Sequence, residues 1–130
     1  MTKEEMKLYT DLEQSKKLAE ILSIESADMF YYCGEDVRIG SYKAMNLDFD
    51  IPCWSIGALL SVLPFQVIAN NRRFEFSMLK GRNKNGETYK IKYTLFLEKE
   101  PFLHLTDSYN NLVDACVEMI LKLHELNLLK

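Results

Sequence analysis

"FEFSMLKGRNKNGETYKIKYTLFL", residues 74–97, decides the fold. Phe74, Phe76 and Met78 alternate with Glu75 and Ser77. Tyr89, Ile91, Tyr93, Leu95 and Leu97 alternate with Lys90, Lys92 and Thr94. A side-chain period of two belongs to a strand, not a helix. Between the runs, Gly81 to Glu87 contains an Asn-Gly step, a strong hairpin signal. The two strands are therefore antiparallel. Their apolar faces must share one side, which sends the basic residues to the other side or to the turn.

Working outward, Lys99-Glu100-Pro101 reads as a second turn and Phe102 to Thr106 as a third strand. A helix follows. Leu112, Ala115, Cys116, Met119, Ile120 and Leu123 recur at helical spacing, and Val113, Val117 and Leu121 widen the stripe into the most buried helix of the core. Asn111 suits its N-cap, and Asp114 lies in its first turn.

Upstream of the hairpin lies "IPCWSIGALLSVLP", residues 51–64, which sets a cysteine, the only tryptophan and a serine side by side. Pro52 biases its predecessor away from helix. Ser55 is an N-cap type, which puts Trp54 and Leu59 at the two positions of a hydrophobic staple. Ile56, Leu59, Leu60 and Leu63 then form one stripe, and Pro64 ends the helix. Each member of the trio has a structural role without invoking reactivity.

Nearer the N-terminus, Thr10 and Glu13 form a capping-box pattern that starts a helix near Asp11, with Leu18, Ile21 and Leu22 on its apolar face. Thr2 and Glu5 make a second such pattern, predicting a helical turn over Lys3 to Tyr9. Met29 to Cys33 is aromatic-rich and reads as a strand, Cys33-Gly34-Glu35-Asp36 as a turn, Val37 to Ile39 as a return strand, and Gly40 to Asp50 as a loop.

This order predicts an α+β fold as a single domain over residues 1–130. Its two layers are a mainly antiparallel sheet of about four or five short strands and about three helices packed on one face. At 130 residues, with 48% apolar and 12% aromatic content, the chain can bury a core without metal or disulfides. No apolar run approaches the ~18 residues of a membrane span, and Met1 to Glu5 is charged, so a cytoplasmic protein with no membrane partner is expected. Cys33, Cys53 and Cys116 are far apart with no CxxC, and are expected as packed, reduced thiols.

Three segments together, "EQSKKLAEILSIESADMFYY" (13–32), "IPCWSIGALLSVLP" (51–64) and "DACVEMILKLHELNLL" (114–129), resemble a family of small uncharacterised proteins from gut Bacteroides-type bacteria and their phages or mobile elements. The three segments make up a little under two-fifths of the chain. The likeness implies a compact cytoplasmic accessory protein of phage or mobile-element origin. It carries over no catalytic or binding residue, and it is weakest over residues 64–106, where the basic hairpin lies.

Few residues suggest chemistry. With three cysteines and two histidines, a Cys53 pairing with His104 or His124 can be drawn in almost any fold. Ser55 lacks the G-x-S-x-G setting of a nucleophile. Asp48 and Asp50 form a D-x-D with no further carboxylate at ligand spacing, and read as solvated loop acids. Five scattered glycines make no phosphate-cradling loop. No cofactor, metal or small-molecule substrate is indicated.

Charge supplies the electrostatic feature that could select a partner. The net charge is −3. Seven basic residues (Arg72, Arg73, Lys80, Arg82, Lys84, Lys90, Lys92) and two acidic ones (Glu75, Glu87) give residues 71–92 a charge of +5 and leave −8 for the rest. Lysines on an exposed strand also deter edge pairing, a role that needs no partner. Phe30 and Tyr32 share one strand face, while Met29, Tyr31 and Cys33 share the other. One set is core and the other is a candidate contact patch, for which Tyr31 is the named residue. The expectation is a non-enzymatic interaction or accessory protein with a protein partner. A nucleic-acid-binding module using the basic hairpin is the alternative, and a small enzyme comes third.

Overall fold

A computed structural model describes residues 7–69, 71–95, 101–104 and 109–129, with backbone alone at 95 and 101–104. The protein is α+β, as its pattern predicts. The described residues form three α-helices, two short 3₁₀ helices (Ile24–Ser26 and Tyr42–Ala44) and seven strands, the strands dividing between two antiparallel sheets instead of one. Contacts cluster into two units, Met1–Val62 and Leu63–Lys130.

In the first unit, helix α1 (Leu12–Ala19) starts one residue later than the capping pattern suggests. Asp11 is the N-cap, accepting from the Gln14 amide at 2.8 Å while the Gln14 side chain accepts from the Asp11 amide at 3.1 Å. Thr10 is thereby released from capping and is fully buried. Residues 7–9 are not helical, since Tyr9 bridges to Ser55; residues 3–6 of the expected turn lie outside the described residues.

Strands β1 (Met29–Tyr32) and β2 (Asp36–Ile39) form the expected hairpin. Cys33 and Gly34 take φ of +52° and +76° to turn it, and the first of these is uncommon for a residue with a side chain. A third strand, β3 (Ile51–Cys53), pairs with β1 on its other side, giving the order β2-β1-β3. Pro52 is tolerated there because β3 is an edge strand. Helix α2 (Ile56–Val62) follows, and the Ser55 hydroxyl accepts from the Ala58 amide at 3.2 Å, as an N-cap should. Trp54 and Leu59 are both fully buried.

The second unit is built on the long hairpin β5 (Arg72–Asn83) and β6 (Gly86–Leu95). Its register sets Phe76 opposite Tyr93 and Met78 opposite Ile91, so the apolar faces coincide. Gly86, at φ +118°, closes the turn in a conformation that a side chain would strain. Strand β4 (Gln66–Ala69) precedes the hairpin, and β7 (Pro101–His104) extends the sheet beyond it, in the order β4-β5-β6-β7. The expected third strand thus begins one residue early, and its last two positions fall outside the described residues.

Helix α3 (Leu112–Glu125) is capped by Asn111, whose side chain accepts from the Asp114 amide. It packs against β6 and buries Val113, Ala115, Cys116, Val117, Met119, Ile120 and Leu123. Among the described residues no helix is long and apolar enough to cross a membrane.

Candidate functional site

Cys53 and Trp54 sit in a buried polar junction, with Ser55 half-buried at its margin. The Thr10 hydroxyl accepts from the Trp54 amide at 3.1 Å and lies 2.7 Å from the Ser15 hydroxyl. The Thr10 carbonyl accepts from the Tyr31 hydroxyl at 2.7 Å and lies 3.5 Å from the Cys53 thiol. The Trp54 indole donates to Ser26 at 2.9 Å, and the Ser55 hydroxyl donates to Asp28. With these partners the buried polar groups here escape the cost of desolvation. Burial pushes the Cys53 thiol up, and it pushes Cys116 up to about 12. A nucleophilic cysteine needs the reverse shift. His124, on the last turn of α3, is exposed.

Tyr31 is corrected as a contact residue. Only 8% exposed, it spends its hydroxyl inside the unit, and burial raises its pKa to about 12. Tyr32 is the exposed aromatic of that run, with the Arg38 guanidinium 4.2 Å above its ring. The expected split into one core face and one free face does not hold, because Phe30 and Tyr31 lie on opposite faces of β1 and both are buried. Cys33 is likewise corrected: it is exposed, because a turn residue at positive φ lies outside the packing.

Asp50 is corrected too. Instead of being a solvated acid, it is buried, and its carboxylate accepts from the amides of Cys33 (2.7 Å) and Asn46 (2.8 Å). Those two amides, with a smaller contribution from Arg38, hold its pKa below the usual carboxylate value. It fastens the 40–50 loop to the β1–β2 turn. Among the described residues no three His, Cys, Asp or Glu side chains gather as metal ligands would.

The register divides the basic residues of the hairpin. Arg72, Lys80 and Arg82 share parity with Phe74 and Met78, so they extend the face that is buried further down. Lys80 and Arg82 approach Glu87 at 3.4 and 4.0 Å, and the Tyr89 hydroxyl donates to the same carboxylate at 2.9 Å. The Tyr89 hydrogen bond and the Lys80 charge lower the Glu87 pKa. Lys84 sits at the turn. Arg73, Lys90 and Lys92 point the other way, so the expectation that all of them avoid the apolar face holds only for these and for the turn. The sequence carried the signal: Lys80 and Arg82 stand at even positions, like Phe74.

The opposite face of this sheet joins Arg73, Lys90 and Lys92 to two exposed apolar side chains, Ile68 (66%) and Leu79 (47%). Leu79 lies across from Lys90, Ile68 from Arg73, and Ser77 from Lys92. Glu75 is the acid among them, at a position paired with Thr94. No aromatic side chain of β4, β5 or the described part of β6 shares this face. Sequence reasoning missed β4, and with it Ile68.

A scan against family models gave no match, and searches of curated proteins and of solved structures gave none either.

Proposed function

We propose that the chain is a non-enzymatic interaction protein that binds an acidic protein partner on the four-stranded sheet. One observation carries this reading: the face with Arg73, Lys90 and Lys92 combines basic side chains with exposed Ile68 and Leu79 and, among the described side chains, carries no aromatic; Phe96, which continues the parity of Lys90 and Lys92, lies outside the described residues. Mixed apolar and cationic surface suits an amphipathic protein segment. A phosphate track would want its cations along one face, with rings to stack bases. In this reading the second unit is two-layered. Helix α3 lies over the side of Phe74, Ile91 and Tyr93, and the opposite side is left for the partner. The resemblance of the three segments supports a cytoplasmic accessory role in a phage or mobile element.

The test compares wild type with the variant Arg73→Glu/Lys90→Glu/Lys92→Glu, titrated with single-stranded DNA and with poly-glutamate. Wild type binds poly-glutamate and the variant loses it, while DNA binds no tighter than about 10⁻⁴ M at physiological salt. Salt-dependent micromolar DNA binding that disappears in the variant would replace this reading with the nucleic-acid module.

A further inference from the structure

Among the described residues the two sheets have four edge strands, and their sequences are not alike. β2 (DVRI) carries Asp36 and Arg38, β3 (IPC) carries Pro52, and β7 (PFLH) carries Pro101 and His104. Charge and proline on an edge are the usual devices against a further strand. β4 reads QVIA and has neither.

The geometry of β4 is also open. The Phe76 amide donates to the Phe65 carbonyl at 2.8 Å, so Phe65 and Phe76 form a hydrogen-bonded pair. Such pairs alternate along an antiparallel ladder. Val67–Phe74 is therefore the next, and the backbone groups of Gln66 and Ile68 point away from β5. Among the described residues no strand lies on that side. The side chains of Gln66 and Ile68 are exposed, and Phe65, just before the strand, is 67% exposed.

Resting on the interaction reading above, we infer that the β4 edge receives an extended acidic segment of the partner as a fifth, antiparallel strand. Main-chain hydrogen bonds to Gln66 and Ile68 supply affinity, and side chains supply selection. Residues paired across a ladder point their side chains to one face, so those bonded to Gln66 and Ile68 share the face of Arg73. Those are the positions where acids gain. Self-pairing of β4 between two copies is disfavoured, because it brings two segments of charge +5 together through only four residues each.

The probe is a short peptide alternating glutamate with valine, followed by fluorescence anisotropy. Wild type binds it, and Ile68→Pro weakens binding about tenfold or more through a lost hydrogen bond and a blocked edge. Ile68 spends no amide on β5, so Ile68→Pro is compatible with folding, which a melting curve checks. A probe-side control needs no variant: N-methylating the glutamate amides abolishes binding, whereas N-methylating the valine amides spares it. Arg73→Glu weakens the glutamate peptide and favours its lysine counterpart.

Binding untouched by Ile68→Pro but lost in Lys90→Glu/Lys92→Glu would overturn the edge and leave the interaction reading standing. Failure of both this peptide and poly-glutamate to bind would sink both. A concentration-dependent dimer abolished by Ile68→Pro would overturn the occupant in favour of a second copy.

Discussion

In the three-stranded sheet both outer strands hold something that repels a newcomer, Asp36 and Arg38 on β2 and Pro52 on β3. In the four-stranded sheet β7 begins with Pro101, but β4 offers Gln66-Val67-Ile68-Ala69 with no such device. The interiors differ as well. The first unit converges on Thr10, whose hydroxyl and carbonyl serve Trp54, Ser15, Tyr31 and Cys53. The second relies on apolar register, Phe76 edge-on to Tyr93 with ring centroids 5.9 Å apart, and on α3. A polar junction that satisfies every partner fixes one arrangement and leaves little to bind. Among the described residues the simpler sheet keeps Ile68 and Leu79 exposed on one face and has β4 at the end of its strand order.

The comparison breaks first at Trp54. Trp54→Ala removes a fully buried ring and the indole bond to Ser26, and should cost about 3–5 kcal/mol in chemical denaturation. A melting temperature unchanged within experimental error would mean that the first unit does not depend on this junction. The matching change in the second unit is smaller. Tyr93→Phe keeps the buried ring and deletes only the 2.7 Å hydrogen bond to the Pro64 carbonyl, so about 0.5–1.5 kcal/mol is expected. A larger loss than that of Trp54→Ala would invert the contrast.

Asp50 gives the subtlest effect, read through pH. Its pKa is lowered in the folded protein. Its stabilisation is thus complete above the ordinary aspartate value and fades as pH falls through the lowered one. Asp50→Asn should be less stable than wild type at neutral pH, with the gap narrowing toward acid. A gap constant with pH would show that the two amides bind the side chain without regard to its charge.

Much of this was legible locally. The alternation at Phe74, Phe76 and Met78 against Tyr89, Ile91 and Tyr93 wrote the hairpin into the sequence, and helical spacing from Leu112 to Leu123 wrote α3. Short strands were not legible. β3 is three residues containing a proline, and β4 has a single buried side chain, Val67, too little for any period to emerge. The split into two sheets depends on pairing between distant segments, β1 with β3 for instance, which no local pattern encodes. The same holds for Tyr31 and Asp50, whose roles are set by partners 21 and 17 residues away. The edge at β4 became visible only when its neighbours were known, since its signature is the lack of charge and proline.

Residue-resolved amide hydrogen exchange on the free protein tests the open edge most directly. The Val67 amide, bonded to β5, should be protected, while those of Gln66 and Ile68, facing away, should exchange far faster. Equal protection at all three positions would mean that β4 already has a strand on its other side, and the account of an unoccupied docking edge would be wrong.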